Sequence, residues 1–121
     1  MDRKKLTRAY KDRKKPMGVF RVFNQVDGKS FVASSVDVPA ALNRQRFQLG
    51  AGVHPNPALQ ADWNRLGPEA FAFEPLDMLE VSDDAKSDPA EELRVLEQLW
   101  HDKLSPYGER GYNVMDAPRS R

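Results

Sequence analysis

The sequence predicts a small α/β layered domain in the order α-β-β-α-α-β-α. Three observations carry that prediction. Asp27-Gly28 stands between two runs rich in aromatic and β-branched residues, the signature of a hairpin. Asp37, Asn56 and Asp88 are each followed within two residues by a proline, the pattern of a helix start. The 121 residues suffice for one hydrophobic core and are too few for two.

Taken in order, Asp2 to Arg13 reads as a helix with a thin stripe of Leu6, Ala9 and Tyr10, ended by Pro16. Met17–Asn24 reads as a strand carrying Val19, Phe20, Val22 and Phe23, and Ser30–Ser34 as a second carrying Phe31 and Val32. Asp37 caps a helix that reaches about Leu49, where Gly50-Ala51-Gly52 stops it. Asn56 caps a shorter helix, Pro57 to Leu66, closed by Gly67-Pro68. Ala70–Glu80 alternates like a half-buried strand in its first half, and Val81–Ser87 is a polar, acidic loop. Asp88-Pro89-Ala90-Glu91 combines an N-cap, a first-turn proline and a capping-box acid, opening a helix to about Leu104. A turn-rich segment follows to Asn113. The expected organisation is a basic helical arm over residues 1–15, a folded domain over 16–114, and a disordered tail over 115–121.

Composition excludes several classes of function. No run of 18 apolar residues exists to span a membrane. Without cysteine, disulfides, thiol catalysis, iron–sulfur clusters and Cys-ligated zinc are excluded. Only His54 and His101 are available as imidazole ligands. The N-terminus is charged from Asp2 with no apolar stretch, so no secretory leader is expected and the cytoplasm is the expected compartment. The net charge of +1 hides an asymmetry. Residues 1–15 hold eight basic groups (Arg3, Lys4, Lys5, Arg8, Lys11, Arg13, Lys14 and Lys15) against two acidic ones. The other residues hold 11 basic against 16 acidic. A basic arm on an acidic body suits a polyanionic partner, and equally a solvated helix face.

Three polar residues sit oddly for a simple core. On a wheel of about 100° per residue, Glu97 falls beside the apolar stripe of Leu93, Leu96, Trp100 and Leu104. A carboxylate turned inward needs a cation, a metal ion or hydrogen-bond donors, unless it sits at the core rim and reaches water. Gln45 falls among Val38, Leu42 and Leu49, beside Ala41, as a satisfied core amide would. His54 lies in a loop and reads first as an ordinary loop residue. Phe20 and Phe31, one on each hairpin strand, read first as core.

In order and spacing these residues resemble the GIY-YIG nuclease family. Gly18-Val19-Phe20 stands where the first motif belongs, and Phe31-Val32-Ala33, after ten intervening residues, where the second does. Ser34-Ser35 is similar to the small polar pair that follows. His54-Pro55-Asn56 through Asn64, Gly67 and Phe71-Ala72-Phe73 resemble the middle segment. Glu97 occupies the place of the metal-binding glutamate, and Leu104 through Gly111-Tyr112-Asn113 resembles the closing segment. The resemblance covers residues 16–114. It implies a three-stranded antiparallel sheet flanked by helices, and metal-dependent cleavage of nucleic-acid phosphodiester bonds, usually in DNA. It implies one Mg²⁺ or Mn²⁺ on Glu97 and a pocket including Gly18, Ser34, Ser35, His54, Asn56 and Asn113.

The departures fall on the chemistry. Both motif tyrosines are phenylalanine, at Phe20 and Phe31, and neither can move a proton. The second-motif glycine is Ala33. The family's arginine aligns with Ala41, and a frequent histidine with Gln45, two positions one helical turn apart. Arg44 and Arg46 flank that face and are the available substitutes for the missing cation. The alternatives are therefore a metal-dependent endonuclease, a non-catalytic nucleic-acid-binding module, and a protein-interaction domain on the same fold. In the two nucleic-acid readings, residues 1–15 supply much of the affinity. Each phosphate neutralised contributes roughly −0.9 to the slope of log affinity against log salt. Deleting residues 1–15 is expected to weaken DNA binding and flatten that slope in a salt titration; unchanged binding would place the contact on residues 16–114.

Overall fold

The computed structural model describes residues 16–79 and 88–114. The expected basic arm, the acidic loop and the tail lie outside the described residues. Strands β1 (Gly18–Asn24), β2 (Lys29–Ser35) and β3 (Phe71–Met78) form an antiparallel sheet in the order β2-β1-β3. Both hairpin strands match the expected spans to within a residue. The connection between them is the four residues Gln25–Gly28, with only Gly28 at positive φ (75°). Its N–H returns to the Asn24 carbonyl at 2.8 Å. The fully buried Asn24 holds the loop from within, its Oδ1 accepting from the N–H groups of Val26 (2.9 Å) and Asp27 (3.0 Å).

Gly18, in the first motif, has a steric reason to be glycine. The β1–β3 register slips between Val19 and Phe20, and this irregularity brings the strands close. A Cβ on Gly18 would lie 2.2 Å from the Asp77 carbonyl oxygen. Pro75, with no N–H to donate, is tolerated because β3 is an edge strand.

Helix α1 (Val38–Ala51) starts at Asp37, whose Oδ1 accepts the Ala40 N–H at 3.3 Å. It runs two residues past the expected end because Gly50 and Ala51 remain helical. The left-handed reversal falls on Gly52 (φ 77°). Helix α2 (Pro57–Leu66) is capped by Asn56 over the Leu59 N–H at 3.0 Å, with the expected bounds. Asp88 caps α3 (Pro89–Leu104) by accepting from the N–H groups of Ala90 (3.1 Å) and Glu91 (3.3 Å). The expected capping-box acid, Glu91, pairs with Arg94.

Alternation along the strands sorts the core. Phe20, Val22, Phe31, Ala33, Phe71 and Phe73 share one face, by their register. They pack with Val38, Ala41, Leu42 and Leu49 of α1, and with Leu59 and Trp63 of α2. Val19, Arg21, Val32, Ser34 and Asp77 share the other face. There α3 lies across β2 and β1, tied by the Trp100 Nε1–H donating to Asp77 Oδ2 at 3.1 Å.

The closing segment seals the free edge of β2. Gly111 lies so close to Pro106 that a Cβ would sit 2.2 Å from its carbonyl carbon. From there the Tyr112 N–H donates to the Ser30 carbonyl at 2.9 Å. The Asn113 side chain then acts as a surrogate strand: its Oδ1 accepts the Val32 N–H at 2.8 Å and its Nδ2 donates to the Val32 carbonyl at 2.7 Å. Covering an edge in this way removes a template for aggregation. Replacing Asn113→Ala orphans the Val32 N–H and leaves its carbonyl with the longer contact to His101 (3.3 Å), and is expected to cost about 1–3 kcal/mol of stability. A denaturant titration should show a lower midpoint at unchanged slope; an unmoved midpoint would mean that water substitutes for the side chain.

Candidate functional site

The residues aligned with the family's chemistry divide between the two sheet faces. On the face under α1 and α2, Phe20 is 2% exposed and Ala41 7% exposed, and both belong to one apolar cluster with Val38 and Leu42. Ala33 and Phe73 close it from the flanks. The positions at which the resemblance expects a phenol and a guanidinium are thus core.

Gln45 is satisfied on the same face. Its Oε1 lies 2.5 Å from His54 Nε2, and the His54 ring meets Phe31 edge-on with centroids 5.6 Å apart. His54 Nδ1 accepts the Asn56 N–H at 3.0 Å, which leaves Nε2 to carry the proton and donate to Gln45. Burial pushes the His54 pKa below its ordinary 6.5. The backbone of His54 is fixed as well, its N–H donating to Gln60 Oε1 at 3.0 Å. Other expected pocket residues hold the scaffold together. Asn56 Nδ2 donates to the Tyr112 carbonyl at 2.7 Å, and Ser35 bonds the Asp37 backbone at the entrance to α1.

Glu97 stands on the opposite face. The Ser34 hydroxyl donates to Glu97 Oε1, and His101 Nε2 lies 3.3 Å from Glu97 Oε2. The Glu97 side chain is 31% exposed, so the carboxylate is at the rim and open to solvent. His101 Nε2 also lies 3.3 Å from the Val32 carbonyl, and its Nδ1 faces the Tyr107 hydroxyl at 3.1 Å. Ser34 reaches Glu97, whereas Phe20, Phe31 and Gln45 occupy the other face. The helical wheel placed Glu97 on the flank of its stripe, but only strand register decides which hairpin residues it meets.

The two candidate replacement cations also separate. The Arg46 guanidinium lies 4.7 Å from the centroid of the Phe73 ring, bonds Asn43 Oδ1 at 3.2 Å, and lines a groove between α1 and β3. Arg44 is exposed and has no ion pair among the described residues. Neither contacts Glu97. His101, one turn after Glu97, is the site residue that the sequence reading passed over. The signal was present as an i, i+4 pair on the wheel. Among the described residues no group of three or more acidic, histidine or cysteine side chains is placed to hold a metal ion.

No family model and no curated protein matches the chain. Two solved structures do. The catalytic domain of the homing endonuclease I-TevI superposes with a TM-score of 0.66 at 25% identity, covering 83% of this chain and 99% of that one. A mutant of the same intron endonuclease catalytic domain gives a TM-score of 0.67 at 22% identity, covering 84% and 96%. The chain has the fold of a GIY-YIG catalytic domain, and the relationship expected from its motifs stands on these neighbours.

The His54 geometry generates a pH dependence. A histidine whose folded pKa is lowered binds its proton more readily in the unfolded chain. Its stabilising contribution is therefore complete above about 6.5 and is lost as the pH falls from there toward the folded value. The melting temperature is expected to drop between pH 7.5 and 5.5, and the drop should be shallower in His54→Leu. Parallel profiles for the two proteins would contradict the buried, neutral assignment.

Proposed function

We propose that this protein binds nucleic acid through a GIY-YIG nuclease fold whose phosphodiester cleavage is absent or very slow. The carrying observation is the burial of Phe20 against Ala41 in an apolar cluster. Cleavage of a phosphodiester needs a proton acceptor for the attacking water and a cation for the charge that develops on phosphate. Phe20, Phe31 and Ala41 provide neither. Loss of general-base assistance costs about 10²–10⁴ in rate, and loss of one charge partner about 10²–10³. Such losses are not additive, yet either one leaves a slow enzyme.

GIY-YIG nucleases are generally metal-dependent, and this chain retains a fitting ligand. Magnesium and manganese are commonly held by one or two carboxylates with several waters. Glu97 is a solvent-facing carboxylate anchored by Ser34 and would hold the ion, with His101 beside it. A bound ion would polarise a phosphoryl oxygen and neutralise charge. The nucleic-acid partner is supported by the neighbours, both endonuclease catalytic domains, and by the basic groups in residues 1–15; DNA is the expected form. Among the described residues no helix is long and apolar enough to cross a membrane.

One observation favours a second reading. His101, 3.3 Å from Glu97, can accept a proton where the phenol is missing, giving a slow endonuclease with a rearranged site. The discriminating experiment incubates the protein with Mg²⁺ or Mn²⁺ and supercoiled, branched or single-stranded DNA. The expected outcome is salt-sensitive binding with no cutting above a Glu97→Ala control. Robust cutting that Glu97→Ala and His101→Ala both abolish would establish the second reading.

A further inference from the structure

Helix α1 differs in charge from its two neighbours. Its 14 residues contain Arg44 and Arg46 and no acid. By contrast α2 balances Asp62 with Arg65, and α3 carries Glu91, Glu92, Glu97 and Asp102 against Arg94 and Lys103. Neither arginine forms an ion pair among the described residues: Arg44 is exposed, and Arg46, also exposed, rests on the Phe73 ring and Asn43 with no acidic partner to neutralise it. On the outward side of the same helix stands Phe47, 72% exposed. It lies one turn beyond Asn43 and Arg44, where helical neighbours at i, i+3 and i, i+4 meet. A phenylalanine this open gains nothing from burial, and α1 already gives Val38, Ala41, Leu42 and Leu49 to the core.

We propose that the outer face of α1 is a stacking surface for unpaired bases of single-stranded nucleic acid. A base lies on the Phe47 ring while Arg44 and Arg46 contact phosphates on either side. This rests on the nucleic-acid reading and specifies its surface and strand form. A flat aromatic with flanking guanidiniums is the chemistry that binds single strands with little sequence preference, because every base offers a π-face and every linkage a phosphate. Duplex DNA keeps its bases stacked inside and cannot use the ring. The surface is separate from Glu97, which lies across the sheet on α3, so binding here does not require the proposed metal position.

The test is fluorescence anisotropy with a labelled 15-nucleotide oligothymidine and a labelled duplex, using the full chain and the variants Phe47→Ala, Phe47→Tyr and Arg44→Ala. Stacking is worth about 1–3 kcal/mol per base, so Phe47→Ala should weaken oligothymidine binding roughly 5- to 150-fold while leaving the duplex nearly unaffected. Phe47→Tyr, which keeps the ring, should bind like the parent, and Arg44→Ala should flatten the salt dependence on both ligands. At 72% exposure Phe47 can be truncated without unfolding the domain, and a thermal melt verifies this. Oligothymidine binding that Phe47→Ala leaves unchanged overturns the stacking surface and spares the nucleic-acid reading. Binding of neither ligand overturns both. A dimer in sedimentation that Phe47→Ala dissociates, with oligothymidine affinity unchanged, assigns the face to a second copy of the chain and likewise overturns the proposal.

Discussion

A strand sends successive side chains to opposite faces, and helices cover both faces of this sheet. That constraint governs everything else in the molecule. Each residue of β1 and β2 is committed to one layer and can serve only the cluster found there. Phe20 and Phe31 go with α1 and α2; Ser34, a short step along β2, goes with α3 and Glu97. Glu97 and the two aromatic positions therefore have different neighbours and are free to change separately. In this chain the carboxylate of Glu97 meets the Ser34 hydroxyl, whereas Phe20, Phe31 and Ala41 place apolar side chains on the other face.

The apolar replacements need a rigid frame, and a buried polar node supplies it. Tyr112 donates its hydroxyl proton to Asp62 Oδ2 at 2.7 Å and accepts from Asn24 Nδ2 at 2.9 Å. Arg65 reaches both Asp62 (3.1 Å) and Asp27 (2.8 Å). The node joins the hairpin loop, α2 and the closing segment. Burial opposes the charge on Asp62, but the bonds from Tyr112 and Arg65 outweigh it and hold the carboxyl below its ordinary 3.8. Its contribution to stability is thus complete above about 3.8 and is lost as the pH falls through the lower, folded value. Burial also raises the Tyr112 pKa, so the phenol keeps its proton at neutral pH. It is a structural hydroxyl.

Much of this was legible in the sequence because the signals are local. An Asx cap followed by proline marks a helix start within a few residues, and Asn56 with Pro57 gave α2 its bounds. The hairpin followed from Asp27-Gly28 between apolar runs. The carboxylate flanking the α3 stripe was visible as an oddity and became interpretable through motif order. What was not legible depends on contacts between distant segments. No periodicity reveals that Asn113 closes on Val32, that Tyr112 reaches Asn24, or that Gln45 and His54 satisfy each other. The separation of Glu97 from Phe20 and Phe31 likewise rests on strand register, which the spacing of the motifs does not encode.

Phe20 and Ala41, at two of the motif positions, are core. The most direct measurement is the unfolding free energy of Phe20→Tyr and Ala41→Arg beside the parent protein. A hydroxyl introduced at Phe20 lacks a partner in its apolar cluster and should cost about 1–3 kcal/mol. A guanidinium at Ala41 brings a larger side chain and a charge into the same cluster, so it should cost more. If both variants instead kept the parent's stability, and Ala41→Arg gained affinity for inorganic phosphate, those positions would line an open site and the account would be contradicted.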